Sequence, residues 1–245
     1  MARSLGFAAL TLQQEIRAIH LKPATELAER VLLPGDPHRA LAVAQHLLDG
    51  PKMFNHTRGL WGYTGIAADG EPLTVQATGM GGPSAAIVTE ELIALGARRL
   101  VRIGTCGALV EGLQLGELVA AQTVLSADGA SAALGASGAL GSDPELLERL
   151  LAAGAHAGTV VSSDLFYDPR EDAAGAWLER GASVVEMEAA AILQVAFRRG
   201  VAAACVLAVT DVPTPEGTRR VDAEQLEQIG LRLGEAGYAA LATTR

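Results

Sequence analysis

The stretch LLPGDPHRA at residues 32–40 joins an apolar run to a helical pattern through a turn. Residues 30–33 (RVLL) have the composition of a buried strand. Gly35 lets the backbone approach a ligand closely, Asp36 can cap the following helix, and Pro37 suits its first turn. The stretch therefore predicts a strand–turn–helix unit, and taken alone it favours a capped turn over an anion site.

Short β-rich runs alternate with longer helical patterns along the rest of the chain. The predicted strands lie at 30–33, 60–66, 72–78, 99–104, 118–125, 158–162, 183–187 and 203–210. The predicted helices lie at 37–49, 83–96, 143–154, 170–180, 188–199 and 222–242. Such alternation predicts an α/β fold whose sheet has helices on both faces. The Gly-, Ala- and Ser-rich residues 126–142 are predicted to form a flexible connection, and residues 1–19 a loosely ordered N-terminal extension.

The composition disfavours several classes of protein. The 245 residues are 49% hydrophobic and 19% charged, and a net charge of −9 disfavours binding to nucleic acid, which needs clustered Lys and Arg. No segment approaches the roughly 18 uninterrupted apolar residues of a membrane-spanning helix, and no signal peptide is expected. Cys106 and Cys205 lie in apolar segments, which predicts two reduced thiols in a cytoplasmic protein. The histidines show no metal-ligand spacing, so no metal site is predicted.

In an open α/β sheet, ligands bind beyond the carboxyl ends of the strands, so the residues after each strand are the candidate site. After the first strand, Arg39 and the free amides of the helix start could bind an anion. The strand at 99–104 leads into RIGTCG, where Arg102 interrupts an apolar run and Thr105 adds a hydroxyl. Guanidinium forks match phosphate oxygens, so Arg39, Arg102 and Thr105 together indicate a phosphate clamp. A structural ion pair between Arg102 and a carboxylate is the alternative.

Acidic residues follow two later strands. Glu186 and Glu188 flank Met187 where a predicted strand becomes a helix. A carboxylate there can grip two vicinal hydroxyls of a sugar, or it can simply complement the positive end of the helix dipole. Thr210 and Asp211 end the apolar run CVLAV. Asp211 is either a turn former or a proton donor in a half-buried site.

The sequence GMGGPS at residues 79–84 nearly matches the dinucleotide fingerprint G-x-G-x-x-G. Ser84 replaces the third glycine, and the next predicted strand supplies no acidic residue to hold a ribose hydroxyl. A dinucleotide site is therefore disfavoured, whereas a glycine-rich loop that lets a small ligand approach the backbone stays open. The sequence contains no G-x-S-x-G elbow, which argues against a common serine hydrolase.

Seven motifs occur in a fixed order along the chain: PGDPHRA, NHTRGLWGYTG, TGMGGPS, RIGTCGA, SSDLFY, VEMEAAA and VTD. Together they resemble the nucleoside phosphorylase family, which includes the bacterial hexameric purine nucleoside phosphorylases and the uridine phosphorylases. The resemblance runs from about His20 to the final helix. It implies a single domain over residues 1–245 with a mixed central sheet. It also implies a pentosyltransferase without a cofactor, inorganic phosphate being a co-substrate.

The resemblance further implies which residues bind phosphate and ribose. Four would bind phosphate within the subunit: Gly35, Arg39, Arg102 and Thr105. Three would bind ribose: Met80, Met187 and Glu188. Arg58 would reach the phosphate of a neighbouring subunit, and His20 would reach the neighbour's ribose 5′-hydroxyl. The chain is therefore expected to form a homo-oligomer, a hexamer built from dimers with shared active sites.

Base recognition separates the purine enzymes of this family from the uridine enzymes. Three residues are expected at the base: Phe166, Glu186 and Thr210. Asp211 would be the acid at purine N7, assisted by Arg219 or Arg220, between which the sequence does not choose. The uridine enzymes carry a Gln-x-Arg element after the SSDxFY motif, whereas Arg170 has no glutamine beside it. The loop VPTPEGTRRVD departs from the pattern of the purine enzymes.

The favoured prediction is phosphorolysis of purine (deoxy)ribonucleosides to the free base and (deoxy)ribose 1-phosphate. A uridine phosphorylase is the first alternative. A nucleosidase is more distant, because a hydrolase has no use for Arg39, Arg58 and Arg102 together. A non-catalytic nucleotide-binding module is disfavoured by an acid at Asp211 and a sugar-gripping Glu188.

Overall fold

The strands and helices of the chain alternate, and the structure bounds each of them. The computed structural model describes residues 16–170 and 172–243. The strands are β1 (Arg30–Pro34), β2 (Asp49–Asn55), β3 (Gly62–Ile66), β4 (Pro72–Gln76), β5 (Arg99–Ala108), β6 (Leu118–Ala127), β7 (Ala139–Leu140), β8 (His156–Ser163), β9 (Val184–Glu186), β10 (Ala202–Thr214) and β11 (Gly217–Arg220). The helices are α1 (Pro37–Leu47), α2 (Gly82–Leu95), α3 (Gly129–Ala133), α4 (Pro144–Ala152), α5 (Ala173–Glu179), α6 (Ala189–Arg199) and α7 (Ala223–Leu241).

The described strands form one 11-stranded sheet of mixed direction. Its pairing order is β11-β10-β6-β8-β9-β5-β1-β4-β3-β2, with β7 beside β6. Because β10 pairs with β5 as well as with β6, strands β5, β10, β6, β8 and β9 form a closed ring. The other strands continue from this ring as an open sheet. The predicted mixed α/β fold is confirmed.

Helices cover the two faces of the sheet. Helices α2 and α6 pack together in one apolar core, and α1, α4 and α7 pack in the other. Strand β1 is buried along its whole length, as expected of a parallel strand that is covered on both faces. Val31 and Leu33 belong to the first core and Leu32 to the second, so successive side chains of β1 serve opposite faces. No helix within the two described ranges is long and apolar enough to span a membrane.

Three strands are not predicted by the sequence: the two-residue β7, and β2 and β11, whose residues are mostly exposed. In β2, only the last two residues are buried, so the strand lacks a clear apolar pattern and forms through pairing with β3. All four residues of β11 are exposed, and this strand forms as the return arm of a hairpin with β10. Pairing with a neighbouring strand therefore determines where β2 and β11 form.

The segment at residues 126–142 is not the flexible connection that its composition predicts. It contains the end of β6, helix α3 and strand β7. Asp128 is buried and caps α3, because its side chain accepts a hydrogen bond from Ser131 N at 2.7 Å. The prediction is wrong because this cap outweighs the glycine and serine content. Residues 1–15 of the predicted N-terminal extension lie outside the described residues.

Replacing Gly237 by alanine tests the close packing of α7 on the sheet. The added Cβ would lie 2.7 Å from Ile103 Cγ2 and 2.8 Å from Leu32 Cδ2, so packed atoms would have to shift. Overpacking costs about 1–3 kcal/mol, which exceeds the ~1 kcal/mol that alanine gains over glycine in a helix. We expect Gly237→Ala to lower the free energy of unfolding in urea. Gly175→Ala in α5 is the matched control, since its Cβ would meet no atom within 4 Å. Equal destabilisation by both changes would contradict this account.

Candidate active site

The candidate site lies at the carboxyl ends of β1, β4, β5, β9 and β10. The loops after β1 and β4 lie side by side there, because Gly79 N donates a hydrogen bond to Gly35 O at 3.1 Å. A Cβ at position 35 would lie 3.4 Å from Gly79 O, which is an ordinary contact distance, so the contact between the two loops does not by itself require glycine. Asp36 caps α1, its Oδ1 accepting from His38 N at 2.6 Å. The capped turn is therefore present, and it leaves Arg39 one turn into the helix.

Arg102 is buried in β5 and paired with two carboxylates. Its Nε donates to Glu186 Oε2 at 2.9 Å, and its Nη2 lies 2.8 Å from the same oxygen and 2.5 Å from Glu188 Oε2. Burial alone would lower the pKa of Arg102, but the charges of Glu188 and Glu186 outweigh it and raise the pKa above its ordinary value. Its Nη1 is buried and has no hydrogen-bond partner among the described residues. The structural ion pair is thus present, and one donor of the guanidinium is left for a ligand.

Gly104 makes this path of the Arg102 side chain possible. A Cβ at position 104 would lie 2.6 Å from Arg102 Nη2 and 2.8 Å from Arg102 Cζ. The guanidinium therefore passes over Gly104, along its own strand. The sequence motif RIGTCG contains this glycine, but only the structure shows which side chain requires it.

Glu186 is a junction between Arg102 and helix α6. Its oxygens accept hydrogen bonds from Ser162 Oγ, from Glu188 N at 2.9 Å and from Ala189 N at 2.9 and 3.0 Å. The carboxylate thus caps the positive end of α6 while it pairs with Arg102. Sequence reasoning expects Glu186 at the base, whereas the structure places its carboxylate in this buried network.

Glu188 is buried next to the glycine-rich loop. Its Oε1 accepts a hydrogen bond from Gly81 N at 2.5 Å, and its Oε2 faces Arg102. Burial raises the pKa of Glu188, although the charge of Arg102 opposes this. Met80, at the tip of the loop, is exposed, and Met187 is half-buried. The Glu188 carboxylate therefore contacts the loop residue that follows Met80, and Met187 directly precedes Glu188 in the chain.

Arg39 lies near Arg102 without an ion pair of its own. Its Cγ would be 3.4 Å from a Cβ at position 230, so Gly230 of α7 leaves room for the side chain. No hydrogen bond or ion pair to the Arg39 guanidinium is found among the described residues. Burial lowers its pKa, and the charge of Arg102 lowers it further, while Asp36 and Glu188 act in the opposite direction. Two guanidinium groups that repel each other in a partly dry site favour an anion between them.

The acid expected at the base is held by the β10–β11 hairpin. Asp211 faces Arg220 across the hairpin, and Asp211 Oδ1 forms an ion pair with Arg220 Nε. Asp211 Oδ2 accepts a hydrogen bond from Thr210 Oγ1 at 2.9 Å. Arg219 instead faces Val212 and forms no ion pair within the described chain. Arg220, not Arg219, therefore contacts the predicted acid.

Phe166 is close to the same ion pair. The Arg220 Cζ atom lies 5.6 Å from the centre of the Phe166 ring, within the range of a cation–π contact. The ring is 60% exposed, which leaves an aromatic face available to a ligand. The structure thus brings together Asp211, Thr210, Arg220 and Phe166.

His20 and Arg58 have no contact with these residues. His20 Nδ1 lies 2.6 Å from Glu91 Oε1, and Arg58 is exposed with a left-handed φ of 60°. No hydrogen bond or ion pair joins either residue to Arg39, Arg102 or Asp211 in the part of the chain that is described.

A separate cavity of about 650 Å³ lies at the opposite ends of β1 and β5. Arg30 and Arg99 line it, together with residues of β2 and β3. Both arginines already donate to the chain, Arg30 to Asp69 and Arg99 to the carbonyl groups of α7. None of the predicted site residues lines this cavity. Within residues 16–170 and 172–243, no cluster of three or more His, Cys, Asp or Glu side chains could hold a metal ion.

Comparison with known proteins gives the class of this fold and site. The family model of the phosphorylase superfamily matches residues 29–243. The chain belongs to this superfamily, and the family predicted from the ordered motifs is confirmed.

Individual relatives are similar over most of their length. A protein of Alkaliphilus metalliredigens (strain QYMF) is 37% identical over 199 residues, covering 76% of this chain and 83% of the relative. A protein of Clostridium novyi (strain NT) is 34% identical over 224 residues, covering 86% and 96%. A protein of Jannaschia sp. (strain CCS1) is 36% identical over 203 residues, covering 79% and 86%. Each of these relatives is named purine nucleoside phosphorylase DeoD-type.

The role of Gly104 can be tested by a substitution that places a Cβ in the space occupied by the Arg102 guanidinium. We expect Gly104→Ala to displace the guanidinium and to weaken binding of inorganic phosphate about tenfold or more, as the loss of a charge-assisted hydrogen bond would. Isothermal titration with phosphate measures the change. Gly107→Ala on the same strand is the matched control, because its nearest contacts, at 3.6 and 3.8 Å, are ordinary packing distances. Unchanged phosphate affinity in Gly104→Ala would contradict the role assigned to this glycine.

Proposed function

We propose that this protein catalyses the phosphorolysis of purine (deoxy)ribonucleosides to the free base and (deoxy)ribose 1-phosphate. The observation that carries the proposal is the pair of guanidinium groups at the strand ends: among the described residues, Arg39 has no ion pair and Arg102 keeps one buried donor free. These donors adjoin Glu188, a buried carboxylate suited to sugar hydroxyls. The relatives named purine nucleoside phosphorylase DeoD-type support the same reaction.

Phosphate acts as the nucleophile at C1′ of the ribose. Arg39, Arg102 and Thr105 hold it, while the backbone at Gly35 approaches it closely. Binding by two arginines keeps phosphate ionised and fixes it below the carbon that it attacks, which lowers the entropic part of the barrier. Asp36 remains the cap of α1, because a carboxylate facing phosphate would repel it.

Glu188 grips the 2′- and 3′-hydroxyls of the ribose, and Met80 and Met187 line the sugar. The reaction passes through an oxocarbenium-like state, whose positive charge the nearby carboxylate stabilises. Arg102 contacts Glu188 and also offers a donor to phosphate, so one guanidinium lies between the sugar subsite and the nucleophile. Glu186 positions Arg102 and α6, which is a supporting role and not contact with the base.

Asp211 gives or shares a proton at purine N7, so that the base does not leave as an anion. Arg220 and Thr210 hold the carboxylate from two sides, and Phe166 packs on the base. The loop VPTPEGTRRVD, which departs in length and composition from the pattern of the purine enzymes, forms the hairpin that carries Arg220. The short connection between β10 and β11 therefore still delivers an arginine to the acid.

The alternatives account for fewer observations. A uridine enzyme would need a Gln-x-Arg element, and Arg170 is bound to Asp168, its Nε lying 2.8 Å from Asp168 Oδ1. A nucleosidase uses water and gains nothing from Arg39 and the free donor of Arg102. The proposed enzyme needs no cofactor, acts in the cytoplasm, and assembles as a hexamer built from dimers, in which His20 and Arg58 complete a neighbour's site.

A substrate panel with and without phosphate tests the proposal. We expect inosine, guanosine or adenosine to be cleaved only when phosphate is present, because phosphate is the nucleophile. Release of free base and of sugar phosphate, followed by chromatography, measures the reaction. Turnover of uridine alone would replace the purine assignment, and equal rates in phosphate-free buffer would indicate a hydrolase.

The acid and its arginine can be tested together. We expect Asp211→Asn to lower kcat for inosine about 100-fold or more, since removal of a positioned proton donor typically costs that much. Arg220→Met should lower the same rate because it removes the ion pair that positions the Asp211 carboxylate. Arg219→Met is the matched comparison, and it should have a much smaller effect because Arg219 faces away from Asp211. A larger effect at position 219 than at 220 would reverse the assignment.

A further inference from the structure

Asn55, at the end of β2, joins two separate segments of the chain. Its side chain is fully buried. The Oδ1 atom accepts a hydrogen bond from Lys22 N at 3.0 Å, and the Nδ2 atom donates to Leu60 O at 2.6 Å. Lys22 belongs to the segment that carries His20, and Leu60 closes the turn that carries Arg58. One buried amide therefore connects the two residues that the proposed function assigns to a neighbour's site.

The turn around Arg58 is held in a conformation that its sequence does not favour. Arg58 has a φ of 60°, which is rare for a residue with a side chain, and it is the only such non-glycine residue in the described ranges. Asn55 also accepts from Thr57 N at 3.3 Å, and Gln76 Nε2 donates to Leu60 O at 3.0 Å. These buried amides maintain the strained turn and keep the exposed guanidinium at its tip.

The segment around His20 is held by Glu91 of α2. This buried carboxylate accepts from the backbone N–H groups of Ile19 at 3.1 Å, His20 at 3.0 Å and Leu21 at 2.7 Å. It also lies 2.6 Å from His20 Nδ1. Because an ionised carboxylate only accepts hydrogen bonds, Nδ1 carries the proton in this contact. The Nε2 atom has no partner among the described residues and is left for a ligand.

We propose that Asn55 is a positioning residue that fixes His20 and Arg58 as one preassembled unit, with Glu91 securing the His20 end alone. This inference rests on the proposed function, in which His20 reaches the ribose 5′-hydroxyl and Arg58 the phosphate of a neighbouring subunit. Long or mobile side chains that act across an interface lose affinity when they must be ordered on binding. A buried clamp that orders them beforehand removes this cost from both subsites.

Three substitutions separate the two branches of the clamp. Asn55→Leu removes both hydrogen bonds, the one to the His20 segment and the one to the Arg58 turn. Asn55→Asp keeps an acceptor for Lys22 N but loses the donor to Leu60 O. Glu91→Gln weakens only the contacts that hold the His20 segment. The measured quantities are the KM for phosphate and the ratio of kcat/KM for inosine to that for 5′-deoxyinosine, which lacks the hydroxyl. Thr64→Val is the control, because it removes a partly buried hydrogen bond of the same sheet, to Thr74, that involves neither segment.

We expect Asn55→Leu to raise the KM for phosphate and to lower the inosine preference, each by about tenfold, the equivalent of one buried hydrogen bond. Asn55→Asp should change only the KM for phosphate, and Glu91→Gln only the preference. Adding Arg58→Met to Asn55→Asp should raise the KM for phosphate no further than Arg58→Met alone. Additive effects in this double variant would overturn the proposal, because Asn55 would then act independently of Arg58.

The outcomes also separate this inference from the proposed function. Absence of phosphate-dependent turnover in the wild-type protein would overturn the proposed function and the inference with it. Normal wild-type turnover, with Asn55→Asp and Glu91→Gln each changing both quantities equally, or with the Asn55 and Glu91 variants changing neither more than Thr64→Val does, would overturn the inference alone. If Asn55→Leu does not fold, the opposite selectivities of Asn55→Asp and Glu91→Gln still decide the question.

Discussion

The buried guanidinium of Arg102 is the constraint on which the rest of the site depends. Removing such a charge from water costs several kcal/mol, so it is tolerated only where carboxylates pair with it. Glu186 and Glu188 supply that pairing, and Glu186 is in turn held by Ser162 and by the first amides of α6. Strands β5, β8 and β9 and helix α6 must meet for this network to exist. The closed ring of strands and the site are therefore products of the same set of contacts.

The sequence predicts those parts of the fold whose burial is apparent from the local amino-acid composition. Strand β1 and the inner part of β10 read as apolar runs because they are covered on both faces, and the capped helices carry Asp or Pro at their starts. Strands β2 and β11 carry exposed polar residues, so nothing local distinguishes them from loops. Helix α3 depends on the buried cap Asp128, which glycine-rich composition conceals. These elements form through contacts with residues distant in the sequence, and a local sequence pattern does not reveal such contacts.

The site follows the same division. Arg102, Glu186 and Asp211 stand out in the sequence because charged residues interrupt or end apolar strands, so their types and places are predictable. The sequence does not predict whether a charged side chain contacts a ligand or another residue of the chain, and Glu186 is an example. The choice between Arg219 and Arg220 depends on the register of the hairpin, which pairs Asp211 with Arg220. Successive side chains of a strand point to opposite faces, so a shift of one residue would bring Arg219 to the acid instead. Gly104 and Asn55 lie within quoted motifs, but the sequence does not reveal their roles or that of Glu91, because the groups that they contact become neighbours only in the folded chain.

The proximity of Arg39 to Arg102 has a thermodynamic consequence for the whole chain. Burial and the charge of Arg102 both lower the pKa of Arg39, so an oxyanion that contacts the two guanidinium groups would favour their charged forms. A ligand that binds only the folded state stabilises it by about 2.7 kcal/mol at about 100 times its dissociation constant. Occupancy of the site and resistance to unfolding are thus linked quantities.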